Sequence, residues 1–380
     1  MLKLTGISDS GLSDLYFDNL TFSFYSDAEK KNNISPITNS KLDRNTIIVA
    51  LGYGCKNNCT YCPQSGFKYI PVDKKKLLNE IDQLYVQSTA FHFIGGEPLN
   101  EFGIIRTIMN EYPNANSSII TNGSCLNNTI VDNLSEWRTF TTLSHDGYDQ
   151  LSNRHIDPLV TKIDLIKTLS KNTNISISSI LTRIKPSLKE RYEFFIDTGI
   201  DFKFITINTV IPYTKQQNEL TITDKQFFLN NYLNDIYSIP EEHYGCDHSL
   251  VFKMYEYLTS GYEYNKQKTY CPIFKDNVVT LNAVGDRQYC HNSQMKVDQL
   301  TMSRLRYINT DKCKNCPVLP ICTSGCRIAD KGQFNDICFQ SFYKRICYFH
   351  FFVKKMFGFS ISKIYGDFEY ATDGNFSFDS

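Results

Sequence analysis

The sequence predicts an α/β chain: a partial (β/α)6 TIM-like barrel followed by a smaller cysteine-rich domain. Three observations carry that reading. Short β-type runs alternate with helix-length segments from residue 46 onward. The intervals between runs are long enough for crossover helices, which implies right-handed βαβ units and a parallel sheet. The cysteines fall into two zones, one near the start and one near the end, with a cysteine-poor stretch between them.

The first strand is "TIIVALGY", ending at Tyr53, followed by a loop and a helix expected over 73–88. The next five are "AFHFIGG", "SSIITNG", "RTFTTLSHDG", "ISISSIL" and "FKFITINTV", with helices expected over 127–136 and 188–197. In parallel sheets of this kind, ligands gather at the C-terminal ends of the strands. That rim carries a cysteine loop, then "GGEP", "TNG" and "SHDG". Each alone reads as a turn, "TNG" most of all, because Gly, Asn and Asp are turn residues. Four polar motifs on one rim read as a site.

The ends are less regular. "LYFDNLTFSFYS" reads as a strand or hairpin that caps the barrel or offers an edge to a peptide. The aromatic tail reads as a packing helix with a loose end, or as a docking surface for a peptide. The expected division is 1–45 as an N-terminal extension, 46–235 as the barrel, 236–345 as the cysteine-rich domain and 346–380 as the tail.

The chain has 380 residues, with 40 basic and 40 acidic side chains for a formal net charge of zero. That balance gives no reason to expect a nucleic-acid partner or an anionic membrane surface. Lys74, Lys75 and Lys76 read as a solvated helix start. The N-terminus lacks the basic region, apolar run and cleavage site of a signal peptide. The apolar stretch 346–359 is short and carries His350, Lys354 and Lys355, so no membrane span is expected. A cytoplasmic location is therefore expected, and thiols are kept reduced there. The 13 cysteines accordingly read as metal ligands before disulfides.

The loop "LGYGCKNNCTYCPQ" holds Cys55, Cys59 and Cys62 in C-x3-C-x2-C spacing. Iron–sulfur cubanes are normally held by four thiolates, so three leave one iron open. The competing reading is a zinc site completed by His92 or His145.

On this loop, with Tyr61 before the third cysteine, the chain resembles the radical S-adenosylmethionine (SAM) enzymes. The resemblance implies that the open iron chelates the amino and carboxylate groups of SAM. One electron then cleaves SAM to methionine and a 5′-deoxyadenosyl radical, which abstracts hydrogen from the substrate. Gly95, Gly96, Glu97 and Pro98 match the family motif that contacts the SAM amino group. Ser144 and Arg154 match positions that contact its ribose and carboxylate. The interval between those two is slightly short for the family.

In the second zone, Cys271, Gly285, Cys290, Cys313, Cys316, Cys322, Cys326 and Cys338 keep the order of the SPASM extension of radical SAM enzymes. A zinc ribbon built on "CKNCPVLPIC" is the competing reading. The resemblance implies two auxiliary 4Fe–4S clusters, hence three clusters in all. The outer one would use Cys313, Cys316, Cys322 and Cys338, and the inner one Cys271, Cys290 and Cys326. The family's further cysteine shortly after Cys271 is missing, so the inner cluster keeps an open iron, or Cys246, flanked by His243 and His248, completes it. Cys125 and Cys347 read as small core residues.

His291 stands where sulfatase-maturing members carry an Asp base, and a neutral imidazole can take that role near pH 7. The change favours enzymes that modify ribosomally made peptides. The resemblance thus implies a maturase that oxidises and cross-links side chains of a precursor peptide, with a flavodoxin- or ferredoxin-type electron donor. A cyclophane C–C or thioether C–S bond is the expected product. A sulfatase-maturing enzyme is the enzymatic alternative, and a non-catalytic zinc or iron–sulfur scaffold the alternative of another class.

Overall fold

The computed structural model describes residues 2–8, 14–18, 23–25, 45–239 except 54 and 213, 254, 277–290 except 289, 292, 315–322, 334–366, 368, 370–371 and 375–378. The first strands, β1 (Leu2–Ser8), β2 (Asp14–Asp18) and β3 (Ser23–Tyr25), belong to a small antiparallel sheet. The six strands expected from the sequence come next as β4 (Thr46–Leu51), β5 (Ala90–Gly95), β6 (Asn116–Thr121), β7 (Phe140–Ser144), β8 (Ile175–Leu181) and β9 (Phe204–Thr209). They lie side by side in chain order and every neighbouring pair is parallel.

Helices cross between them where local sequence starts them. Asp73, Asn127 and Ser187 each accept a backbone N–H of the first turn of the succeeding helix. The helices Asn128–Glu136 and Leu188–Asp197 agree with expectation. The first is shorter than expected, Lys74–Leu84, because Tyr85 turns extended and Val86 N donates to Thr89 Oγ1 at 2.9 Å. Lys74, Lys75 and Lys76 are exposed at its start.

The sheet is larger than six strands. β10 (Val278–Asn282) pairs parallel to β4, and β11 (Arg287–Gln288) pairs antiparallel to β10. The order is β11-β10-β4-β5-β6-β7-β8-β9, so β9 and β11 are its edges. A hairpin from the second cysteine zone thus extends the same sheet, and Lys76 Nζ meets Asp286 Oδ1 at 2.5 Å beside it.

Strand alternation separates two environments. Phe91 and Phe93 of β5 are buried in the main core with Leu77, Ile81 and Ile105. Ile94 joins Ile48, Ala50 and Tyr53 in a separate apolar cluster. Polar pairs link neighbouring strands: His92 Nδ1 lies 2.7 Å from Ser118 Oγ, and Thr142 Oγ1 2.9 Å from Ser176 Oγ.

The tail departs from expectation. A helix over Phe334–Phe357 runs unbroken through the expected boundary at 345/346. The chain beyond this helix is not loose: β12 (Phe359–Tyr365) pairs with β1 and with β13 (Asn375–Ser377). The small sheet, β13-β12-β1-β2-β3, therefore joins both chain ends. Aromatic packing explains it. Phe349 lies 4.9 Å from Phe17, and Phe24 lies 4.9 Å from Phe357, so the expected hairpin packs on the helix. Among the described residues, no helix is long and apolar enough to cross a membrane.

His350 on this helix is buried, with Nδ1 2.9 Å from Tyr237 Oη. Burial holds its pKa down at about 4 against an ordinary 6.5. The unfolded chain therefore protonates first, so this contribution to stability is complete above 6.5 and drains away as pH falls toward 4. Between pH 7 and pH 5, the native chain should lose more of its urea midpoint than His350→Gln does. Equal losses would refute the assignment.

Candidate active site

The site forms where the C-terminal ends of β4, β5 and β6 meet. Tight turns shape the cysteine loop, with Cys62 N donating to Cys59 O at 3.1 Å and Ser65 N to Cys62 O at 3.0 Å. Thr60 N is anchored on Asn153 O at 3.0 Å, and Gln217 Nε2 donates to Cys62 O at 2.6 Å. Cys55, Cys59 and Cys62 are all half-buried, and close enough that Cys62 adds to the rise of Cys55 and Cys59, and Cys55 to that of Cys59. Burial is the largest influence and pushes all three thiols up, Cys59 to about 11.

Several donors oppose it. The N–H of Asn57 faces the Cys55 sulfur, those of Gln64 and Ser65 face Cys62, and the charge of Arg154 acts on Cys59 and Cys62. Asn122 Nδ2 stands 3.5 Å from Cys55 Sγ. Donors aimed at sulfur stabilise the thiolate, the form a metal binds, so the surroundings fit an iron–sulfur ligand set. Among the described residues, no three His, Cys, Asp or Glu side chains converge as one metal ion requires. A cubane instead takes each thiolate on a different iron.

"GGEP" lies directly against this loop. Gly96 N donates to Leu51 O at 3.1 Å and Glu97 N to Gly52 O at 3.4 Å, extending the β4–β5 pairing past the sheet. A Cβ at Gly96 would stand 3.0 Å from Cys55 N and Cβ, and Gly95 has φ +145°, so neither position suits a side chain. Pro98 opens a short 3-10 turn, Pro98–Glu101.

Glu97 is 1% exposed. Its Oε1 accepts from Thr121 Oγ1 at 2.7 Å and Leu99 N at 3.0 Å, and its Oε2 from Asn122 N at 2.7 Å. A carboxylate can accept about four hydrogen bonds, so room for one donor remains. Burial outweighs the three donors and raises its pKa. Such a carboxylate gains most from a cation. "TNG" is therefore more than the turn it resembles, because two of its residues hold Glu97.

At the end of β7, Ser144 is half-buried. His145 turns away from the loop. Its ring stacks on Phe194 at 5.4 Å, its Nδ1 accepts from Gly147 N at 2.9 Å, and its Nε2 lies 3.0 Å from Asp157 Oδ1. His92 is held by Ser118. A zinc site completed by either histidine finds no support here.

Asp146 is fully buried and gathers the rim. It accepts from Tyr61 Oη, from Asn153 Nδ2 at 3.2 Å and from Ile180 N at 2.9 Å. Arg154 Nε lies 3.2 Å from its Oδ2, and Arg191 Nη1 3.8 Å from its Oδ1. Burial is the largest influence and pushes its pKa up, but Arg154, Arg191, Tyr61 and the Ile180 N–H bring it below the usual range. The Arg154 guanidinium lies 5.3 Å over the Tyr61 ring and is mostly buried. Its described partner is thus a carboxylate of the protein, beside the cysteine loop.

The second zone is described in part. Cys290, Cys316, Cys322 and Cys338 are half-buried. Cys316 precedes and Cys322 ends a one-turn helix, Leu319–Cys322, which Arg345 Nε ties to the long helix through Ile321 O at 3.0 Å. Cys290 comes just after β11, beside Tyr53, whose phenol its proximity helps to raise. Cys246, Cys271, Cys313, Cys326, His243, His248 and His291 lie outside the described residues. Cys347 is buried and donates to Phe228 O at 3.3 Å, a core residue as expected. Cys125 is only half-buried, against Asn100 Oδ1 at 3.0 Å.

Sequence reasoning missed the roles of Asp146, Asn122, Thr121 and Gln217. The first three stand inside the quoted rim motifs, which was the available signal; Gln217 gave none.

A parallel α/β sheet with three thiols and a buried glutamate at its strand ends is the arrangement that the resemblance to radical SAM enzymes leads one to expect. Residues 49–158 match the Radical SAM superfamily, so the chain carries a domain of that family. It is 21% identical over 336 residues to the radical SAM cyclopropyl synthase TigE of Paramaledivibacter caminithermalis, covering 75% of this chain and 68% of that protein. Among solved structures, native anSMEcpe with bound AdoMet superposes with a TM-score of 0.56 at 16% identity, covering 82% of this chain and 97% of that one. Streptococcus suis SuiB bound to precursor peptide SuiA gives 0.53 at 16% identity, covering 74% and 72%. At these identities the superpositions show a shared fold.

If the remaining acceptor of Glu97 takes the SAM ammonium, losing that charge-assisted bond costs about 1.5–3 kcal/mol. Glu97→Gln keeps a carbonyl acceptor for Thr121 and Leu99 but removes the charge. It should weaken SAM binding about tenfold or more with iron content unchanged, measured by equilibrium binding to reconstituted protein. Unaltered affinity would leave Glu97 a structural residue.

Proposed function

We propose that the chain is a radical SAM/SPASM peptide maturase that oxidises and cross-links side chains of a ribosomally synthesised precursor peptide. The observation that carries the reading is the meeting of the Cys55–Cys59–Cys62 loop, Glu97 and Asn122 at adjacent strand ends, inside the segment that matches the Radical SAM superfamily. The peptide substrate is supported by two relatives: SuiB is seen with its precursor peptide, and TigE is a cyclopropyl synthase. The likeness to anSMEcpe keeps a sulfatase-maturing activity as the second reading, although it rests on fold alone.

In this reading Cys55, Cys59 and Cys62 hold the SAM-binding 4Fe–4S cluster. Cys313, Cys316, Cys322 and Cys338, with Cys271, Cys290 and Cys326, hold two auxiliary clusters. When bound, the cluster and SAM together supply the hydrogen-abstracting radical. The chain's own work is positioning and shielding. Glu97 would bind the SAM ammonium, Gly95 and Gly96 would admit it closely and Ser144 would contact the ribose, while Arg154, paired with Asp146, places positive charge beside Cys59. Forming a C–C or C–S bond removes two electrons and two hydrogens from the peptide, so an acceptor is needed for the second electron. Auxiliary clusters serve that purpose, and a flavodoxin- or ferredoxin-type donor supplies the first reduction. His291 stands as the base that takes the proton.

The test is anaerobic co-expression with short open reading frames from the same locus, followed by peptide mass spectrometry. The native chain should yield a peptide lighter by two hydrogens per cross-link. The triple variant Cys55→Ala, Cys59→Ala, Cys62→Ala should yield none and form no 5′-deoxyadenosine with dithionite. SAM cleavage persisting in the triple variant would end the assignment.

A further inference from the structure

Asn122 touches both Cys55, read above as a cluster ligand, and Glu97, read above as the partner of the SAM ammonium. Its backbone N–H donates to Glu97 Oε2 at 2.7 Å, and its side-chain Nδ2 reaches Cys55 Sγ at 3.5 Å, within the range of an N–H···S hydrogen bond. Its Oδ1 accepts from Ser124 N at 2.8 Å. That third bond orients the amide. With the oxygen committed to Ser124, the NH2 is the end left to face sulfur. Asn122 is 7% exposed, so the contact lies in a mostly dry setting where a hydrogen bond to a charged sulfur is strengthened.

We propose that Asn122 is a positioning residue that raises the reduction potential of the SAM-binding cluster through its Nδ2–H···Sγ bond to Cys55. The inference rests on the reading of Cys55 as a cluster ligand. In the step concerned, the oxidised cluster takes one electron from an external low-potential donor of the flavodoxin or ferredoxin class; no bond forms or breaks. Reduction adds negative charge to the cluster, part of it on the ligand sulfurs. A donor aimed at one sulfur therefore stabilises the reduced form more than the oxidised form, and hydrogen bonds to sulfur are a recognised control of cluster potential. Cys55 also faces the N–H of Asn57, whereas Asn122 brings a side-chain donor to this sulfur.

The bland alternative is that Asn122 only caps the turn at Ser124. Two substitutions separate the readings. Asn122→Ser keeps an oxygen able to accept from Ser124 N but is too short to reach Cys55. Asn122→Asp keeps the cap and nearly the same shape, replaces the donor with an acceptor, and adds negative charge. Reconstituted full-length protein should be titrated anaerobically, with reduction followed by electron paramagnetic resonance. The cluster in question is recognised as the one whose signal changes on adding SAM.

The expected result is a more negative midpoint for that signal in Asn122→Ser and a larger negative shift in Asn122→Asp. Iron content and the signals that ignore SAM should stay unchanged. Midpoints equal to the native value in both variants, with the SAM-responsive signal present, would overturn this inference and leave the cofactor reading standing. A native protein with no SAM-responsive signal would overturn the cofactor reading and the inference with it.

Discussion

The rim of the parallel sheet depends on one buried carboxylate. Asp146 has no solvent exposure, and an ionised group in that position is tolerable only with opposite charge and hydrogen bonds around it. Both are present, and the partners come from four different elements. Tyr61 comes from the cysteine loop, Asn153 and Arg154 from the turn after β7, Ile180 from β8, and Arg191 from the helix Leu188–Asp197. Burial pushes the Tyr61 phenol up, so it stays a donor. Arg191 is shared further, its Nη2 meeting Asp149 Oδ2 at 2.6 Å. Removing one partner from such a group strands the others; for a buried ion pair that costs about 3–5 kcal/mol. A charge network at the rim thus ties the cysteine loop, through Tyr61, to the neighbouring elements.

The range of each interaction decides how much of this was legible in the sequence. The six strands and their caps are local patterns, so β4 to β9 could be read from runs such as "TIIVAL" and "AFHFIG". The rim motifs were legible because their residue types are unusual in combination. The addition of β10 and β11 was not, because pairing Val278 with Thr46 is a choice between distant segments that neither segment announces. The same holds for β1 and β12, which join the two ends. Aromatic content in the tail signalled burial, but not the surface that would cover it.

The domain division is affected by these long-range pairings. β10 continues the main sheet from within the segment expected to be a separate cysteine-rich domain. The hydroxyl of Tyr53, two positions before Cys55, accepts from Gln288 Nε2 at 2.5 Å, two positions before Cys290. One buried hydrogen bond therefore links the loop of the first zone to the start of the second. Burial raises the Tyr53 phenol to about 12, so it remains neutral in that position.

The same economy of distance explains the residue types at the three adjacent strand ends. β4 delivers Cys55, β5 delivers Glu97 and β6 delivers Asn122, and parallel pairing keeps those ends level. For Asn122 to touch both Glu97 and Cys55, the chain at 95–96 must lie almost against the loop. The missing side chain of Gly96 makes that approach possible, since a Cβ there would collide with Gly52 O and crowd Cys55 at 3.0 Å. The glycines therefore matter first to the protein's own packing. A ligand that needs close backbone approach meets a gap already required by the sheet, so one local constraint serves both the fold and the site.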